Sequence, residues 1–172
     1  MLLFSALLPP SRVVESLRTH LDPLREEVPE PRWAPPAQWH ITLGFYGEDD
    51  PEARVEWLGK ALAGRSAPTL RLQGAGTFSR VLYLGVYSEG LTELAAAAGA
   101  EEERPYLPHL TVARTAGDVP AELPRRLSGF VSEPWTAVEA VLMRSDRTGE
   151  GTRYSVVARF PLEVRQAGAG PA

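Results

Sequence analysis

Two tetrads in this chain can do acid–base chemistry, His40-Ile41-Thr42-Leu43 and His109-Leu110-Thr111-Val112, and they repeat one order of polar and apolar residues. On a half-buried strand that alternation sends His and Thr to one face and the aliphatic residues to the other. If the two strands lie side by side, or are related by a pseudo-twofold axis, two imidazoles and two hydroxyls converge. Imidazoles with an ordinary pKa of about 6.5 can hold complementary protonation states near neutral pH. Such a pair suits in-line displacement at phosphorus, where the incoming oxygen loses a proton and the leaving oxygen gains one. The Thr42 and Thr111 hydroxyls can hydrogen-bond nonbridging phosphate oxygens, and a nearby arginine can offset the developing charge.

Other chemistries fit these residues less well. A metal centre needs three or four ligands, and two histidines without cysteine or an evident acidic partner fall short, so no metal is expected. Asp49 and Asp50 follow the first tetrad, but helix capping accounts for them. No Gly-x-Ser-x-Gly elbow supports a serine triad, and the glycines carry neither a phosphate-loop nor a dinucleotide fingerprint. The chain has no cysteine, which excludes disulfides and thiolate nucleophiles. A net charge of −4 argues against coating long nucleic acid by bulk electrostatics, yet leaves binding of a short end open. Lys60 is the only lysine, so planar, bidentate arginine contacts dominate the basic chemistry available. No run is apolar enough to span a bilayer and no export signal is legible, so a cytoplasmic location is expected.

The elements that must position the tetrads follow from periodicity. The apolar Met1 to Leu8 reads as a buried first strand. Ser11 then caps a helix with Val14, Leu17, Leu21 and Leu24 at helical spacing, and His20 inside it reads as a surface or boundary residue. Pro29, Pro31, Pro35 and Pro36 stiffen the approach to a first His strand over Gln38 to Tyr46. Asp50-Pro51 starts a helix striped by Val55, Leu58 and Leu62, with Gly64 at its C-terminal end. Strands Thr69 to Gln73 and Val81 to Tyr87 are expected around a turn-rich Gly74 to Arg80. The alanine-rich Leu91 to Ala98 reads as a helix, and proline on both sides of Tyr106-Leu107 leads to the second His strand, His109 to Arg114. A short helix near Ala121 to Leu127 precedes strands Thr136 to Met143 and Arg153 to Phe160, joined by a loop over Ser145 to Gly151.

Strands and helices thus interleave without the regular alternation of a doubly wound sheet. The expected fold is α+β and bilobal: two mostly antiparallel sheets with outer helices, related by a pseudo-twofold duplication, each lobe carrying one His strand. Residues 1–165 form this single bilobal domain, and residues 166–172 form a disordered tail.

At these residues the chain resembles the 2H phosphoesterases, and within them the RNA 2′,3′-cyclic phosphodiesterase branch of LigT-like 2′-5′ RNA ligases. The resemblance rests on the two His-x-Thr tetrads and on their flanks: Arg32-Trp33-Ala34-Pro35-Pro36, Trp39 through Glu48, Gly76-Thr77-Phe78, Arg104 through Arg114, and Arg144-Ser145-Asp146. It implies a metal-independent hydrolysis, without cofactor, of RNA 2′,3′-cyclic phosphate ends to 2′-phosphate, with reversible 2′-5′ ligation as a related activity. His109 would be the general base and His40 the general acid. Thr42, Thr111 and Arg114 would contact phosphate, and Phe45 or Tyr46 would lie near the nucleotide. The implied partners are RNA ends, tRNA fragments among them, met by a monomer away from any membrane. The alternatives are a phosphodiesterase of small cyclic nucleotides or 2′-5′ oligonucleotides, and a non-catalytic RNA-end binding module.

Two positions conflict with simple alternation. Arg114 falls on the face opposite His109, so a role at phosphate requires the strand to end or bulge. Phe45 shares parity with Ile41 and Leu43, which favours core packing. Trp33 and Trp39 read as part core, part cleft rim.

Overall fold

The opening apolar run forms strand β1 (Leu2–Leu7), buried along nearly its whole length because it lies inside a sheet rather than at an edge. A computed structural model describes residues 1–100 and 104–164; the tail expected over 166–172 lies outside the described residues. After β1 the chain continues through α1 (Ser11–Glu27), β2 (Arg32–Trp33), a 3-10 turn (Pro36–Gln38), β3 (Ile41–Glu48) and α2 (Pro51–Leu62). The remainder comprises β4 (Thr69–Phe78), β5 (Val81–Glu89), α3 (Leu91–Ala97), β6 (His109–Arg114), α4 (Glu122–Leu127), β7 (Trp135–Thr136), β8 (Glu139–Thr148) and β9 (Gly151–Pro161). No helix among the described residues is long and apolar enough to cross a membrane.

The strands form one curled, nine-stranded sheet in the order β7-β4-β5-β6-β3-β1-β8-β9, with β2 paired to β6 outside that row. All the strand pairs are antiparallel. The α+β architecture expected from the sequence is present, and its two sheets are the halves of this one. They meet at the His strands, where a single residue pair, Ile41 with Leu110, joins β3 to β6. Each half repeats a unit of strand, helix and antiparallel His strand: β1-α1-β3 in one and β5-α3-β6 in the other.

One face of the sheet carries the helices. Leu17 and Leu21 of α1, Leu58 and Leu62 of α2, Leu94 of α3 and Leu123 of α4 enter one core with Leu3, Ile41, Leu84 and Leu110 from the strands. This burial at alternating strand positions and helical spacing is the main folding force, at roughly 25 cal/mol per Å² of apolar surface removed from water. The opposite face is left for the cleft, with a smaller apolar patch of Phe4, Ala6, Val141 and Met143 at its floor.

Several local expectations shift. Pro10, not Ser11, flanks α1, and its carbonyl accepts from the N–H groups of Val13 and Val14. Asp49, not Asp50, turns its carboxylate inward, accepting from the Asp50 N–H and binding Arg54 at 2.6 Å. Gly74 to Arg80 is mostly strand: β4 runs through to Phe78, and the turn is confined to Ser79 and Arg80. Likewise β8 and β9 extend to Thr148 and Gly151, so Ser145 and Asp146 sit on a strand rather than in a loop.

Gly44 marks where β3 passes beneath α3: a Cβ there would stand 2.5 Å from the Ala98 carbonyl oxygen, a backbone atom that cannot swing away. Gly59, in α2, has nothing within 4 Å of the same probe position. Gly44→Ala should therefore lower unfolding free energy by about 1–3 kcal/mol. Gly59→Ala should raise it by about 0.5–1 kcal/mol through helix propensity. Urea unfolding of the two variants checks both signs.

Candidate active site

Both histidines are oriented by the same short-range bond. His40 Nδ1 lies 2.7 Å from the Gln38 carbonyl oxygen and His109 Nδ1 lies 2.8 Å from that of Leu107, in each case two residues back along the chain. A carbonyl can only accept, so Nδ1 carries the proton in both rings and each neutral imidazole keeps Nε2 as its free acceptor. The two carbonyls are delivered differently: that of Gln38 closes the 3-10 turn Pro36–Gln38, whereas that of Leu107 comes from an irregular segment with proline on both sides of Tyr106-Leu107.

Aromatic rings wall each imidazole. Phe4 and Tyr154 stand 5.0 and 5.3 Å from His40, ring centre to ring centre. Phe78 and Tyr83 stand 4.9 and 5.5 Å from His109. Between the two pairs opens a cleft of about 270 Å³, lined by His40, Thr42, His109, Thr111, Phe45 and Arg114. Gln38, Ser145 and Tyr154 complete its polar lining, and among the described residues that line it there is no carboxylate.

Arg114 reaches the cleft because β6 bulges. Tyr83 of β5 pairs with Thr111 but the next residue back, Leu82, pairs with Ala113, leaving Val112 as an extra residue. Val112 and Ala113 are both buried in succession, and the phase slip returns Arg114 to the face of His109 and Thr111. The same device occurs in β3. Ala6 pairs with Thr42 and Ser5 with Gly44, leaving Leu43 extra, so Phe45 emerges beside Thr42 at 65% exposure instead of entering the core. Each extra residue lies three positions after its histidine, and Phe45 and Arg114 occupy the same place in the two repeats. The core packing that alternation favours for Phe45 is thereby corrected.

The bulge in β3 is braced from behind. The Gly44 N–H donates to Ser5 Oγ at 3.0 Å, Ser5 Oγ lies 2.8 Å from the Tyr46 hydroxyl, and Tyr46 donates to the Ala98 carbonyl at 2.7 Å. Tyr46 is thus committed to the helix-covered face, where Arg54 stacks on its ring at 4.1 Å, and it does not line the cleft. Burial, its largest influence, pushes the Tyr46 phenol upward in pKa. Trp33 and Trp39 also serve the core side, donating their indole N–H groups to the Val28 and Ala34 carbonyls.

Sequence reasoning passed over Phe4, Tyr154, Tyr83 and Phe78 as ring walls, and Tyr106, whose hydroxyl donates to the Thr42 carbonyl at 2.6 Å and ties the second approach to the first tetrad. The available signal was Gly76-Thr77-Phe78, where a side chain on Gly76 would collide with the Tyr83 hydroxyl at 2.5 Å. A glycine that admits an aromatic ring looks, in sequence, like a turn.

Charge and burial act on His40 together. Desolvation is the largest influence and lowers its pKa below the ordinary 6.5; the Gln38 carbonyl raises it, and His109 and Arg114 lower it further. The three groups therefore interact electrostatically across one cleft that has no compensating anion among its described lining residues.

A cleft with two Nε2 acceptors, two hydroxyls and an arginine can exchange protons with a bound anion and hydrogen-bond its oxygens. The sequence matches the 2′-5′ RNA ligase superfamily over residues 9–149, and the chain belongs to that superfamily. It is 33% identical to an RNA 2′,3′-cyclic phosphodiesterase of Thermus thermophilus across 94% of this chain and 90% of the relative. A crystal structure of a Thermus thermophilus protein superposes with a TM-score of 0.71 at 27% identity, covering 96% of this chain and all of the other. E. coli LigT complexed with 3′-AMP superposes with a TM-score of 0.73 at 26% identity, covering 94% and 97% of the two chains.

The lowered pKa of His40 has a measurable sign. Protonating it costs folding free energy, so the stability tied to the neutral ring is full above pH 6.5 and is lost as pH falls through the folded-state value. NMR titration should place His40 below 6.5, and Arg114→Gln should move it upward only in part, because burial remains. A full return to 6.5 in that variant would mean that charge, not burial, sets the shift.

Proposed function

We propose that this chain hydrolyses RNA ends bearing a 2′,3′-cyclic phosphate to 2′-phosphate ends, with His109 and His40 as the acid–base pair. The observation that carries the proposal is the matched Nδ1-to-carbonyl bond at both histidines, which leaves two Nε2 atoms for one cleft. Water gives a proton to His109 Nε2 and its oxygen bonds to phosphorus, while the bond from phosphorus to O3′ breaks and O3′ takes a proton from His40 Nε2. Thr42 and Thr111 donate to the nonbridging oxygens and Arg114 offsets the charge that builds there. Phe45, exposed at the opposite wall, offers a stacking surface for the terminal base. If the 5′-hydroxyl of a second RNA replaces water, the same proton transfers yield a 2′-5′ linkage.

The low pKa of His40 in the free cleft is compatible with its role as acid. A bound phosphodiester brings a negative charge beside Arg114 and the ring, which favours the imidazolium and supplies the proton when the leaving oxygen needs it. The acting unit is the bilobal domain over residues 1–165, as a monomer in the cytoplasm, with RNA ends such as tRNA fragments as its substrates.

Incubation with a cyclic-phosphate-ended oligonucleotide in EDTA should give a 2′-phosphate end, and His40→Ala and His109→Ala should each lose about 100-fold or more in kcat. Undiminished turnover by His40→Ala would refute the acid–base pair, and tight binding without conversion would make the protein a binding module. NMR should show His40 titrating at higher pH with a 2′-phosphate product bound than in the free protein.

A further inference from the structure

Arg32 belongs to none of the roles above, yet its place in the sheet is unusual. β2 pairs antiparallel with β6 so that Arg32 lies directly opposite Arg114 and Trp33 opposite Ala113. Directly opposed residues project to the same side of a sheet, with Cβ atoms about 4.5–5.5 Å apart. Trp33 and Ala113 point to the core, and Ala34, one position beyond Trp33, lines the cleft. Alternation therefore sets Arg32 with Arg114 on the cleft side, one step farther out along the rim.

Two like charges directly opposed destabilise a strand pair. Some arginines elsewhere are neutralised, as where Arg54 binds Asp49, Arg126 binds Glu27, Arg144 binds Asp146 and Arg159 binds Glu139. Arg32 and Arg114 are both exposed, and neither guanidinium makes a hydrogen bond or ion pair with any described residue. Two unopposed fork-shaped cations at the edge of a phosphoryl-transfer cleft match two phosphates of one strand.

We propose that Arg32 forms a second anion subsite, which binds the phosphodiester on the 5′ side of the terminal nucleotide while Arg114 holds the reacting phosphate. Resting on the activity proposed above, this makes the substrate an oligonucleotide end rather than a mononucleotide. A 2′,3′-cyclic mononucleotide has only the reacting phosphate and leaves Arg32 empty. A dinucleotide with the same cyclic end fills both.

The test compares a cyclic mononucleotide with a dinucleotide ending in the same cyclic nucleotide, for wild type and Arg32→Gln. Wild type should favour the dinucleotide by about tenfold in kcat/KM, the equivalent of one charge-assisted contact. Arg32→Gln should remove that preference through KM, with kcat and the mononucleotide rate within about twofold of wild type. The salt slope of log kcat/KM for the dinucleotide should fall in magnitude by about 0.7, the value for one phosphate contact to a single strand. Equal loss on both substrates, or no loss on either, would overturn the subsite; Arg32→Lys, which keeps the charge, should restore part of the preference. Affinities for the corresponding 2′-phosphate products separate the two proposals. Absence of turnover with a dinucleotide preference that Arg32→Gln abolishes would refute the activity and support the subsite, whereas product affinities that Arg32→Gln leaves alike would refute the subsite itself.

Discussion

One extra residue in each His strand sets the chemistry of the cleft. Without Leu43 and Val112 out of register, strict alternation would turn Phe45 and Arg114 into the core beneath the helices, where an arginine would lose its hydration without a partner. With them, each His strand contributes three cleft positions, at the histidine, two residues on and five residues on. The cost is a local break in the hydrogen-bond ladder, which Ser5 Oγ offsets in β3 by accepting the Gly44 N–H. The Ser5–Tyr46–Ala98 chain then carries that bracing into α3, so the position of a cleft residue is tied to helix packing on the far side of the sheet.

The pseudo-twofold is kept at the two histidines and broken five residues after each. Both histidines share the same backbone acceptor geometry and both sit against two aromatic rings. At the fifth position the repeats diverge to phenylalanine and arginine. That divergence gives the cleft an apolar wall at Phe45 and a cationic wall at Arg114. Two like histidines thus sit in unlike surroundings.

Much of this was legible in the sequence. The tetrads marked the cleft, the stripes Leu17-Leu21-Leu24 and Leu58-Leu62 marked helices that do bury those residues, and the interleaved order indicated α+β. What sequence patterns lacked was any sign of a bulge, because one unpaired residue changes the parity of everything after it while leaving composition untouched. Alternation therefore favours the core for Phe45 against the resemblance, which puts it near the nucleotide, and leaves the place of Arg114 dependent on a strand end or bulge. Glycines misled in a second way: Gly74 and Gly76 look like a turn but lie within β4, where Gly76 makes room for the Tyr83 ring. Tyr46, aromatic and next to the first tetrad, has a side chain engaged by Ser5 and Ala98, partners too distant in sequence for local patterns to reveal.

The two approach segments cross over. Ala34, upstream of the first tetrad, donates its N–H to the Val112 carbonyl in the second His strand, and Tyr106, upstream of the second, donates to the Thr42 carbonyl in the first. Each half is thus strapped to the other by the very segment that delivers its own histidine. The halves cannot swing apart like jaws without breaking these two bonds. A dimer of half-length chains built on this plan would need its subunits to exchange their approach segments, an entanglement that a single continuous chain achieves at no cost in association.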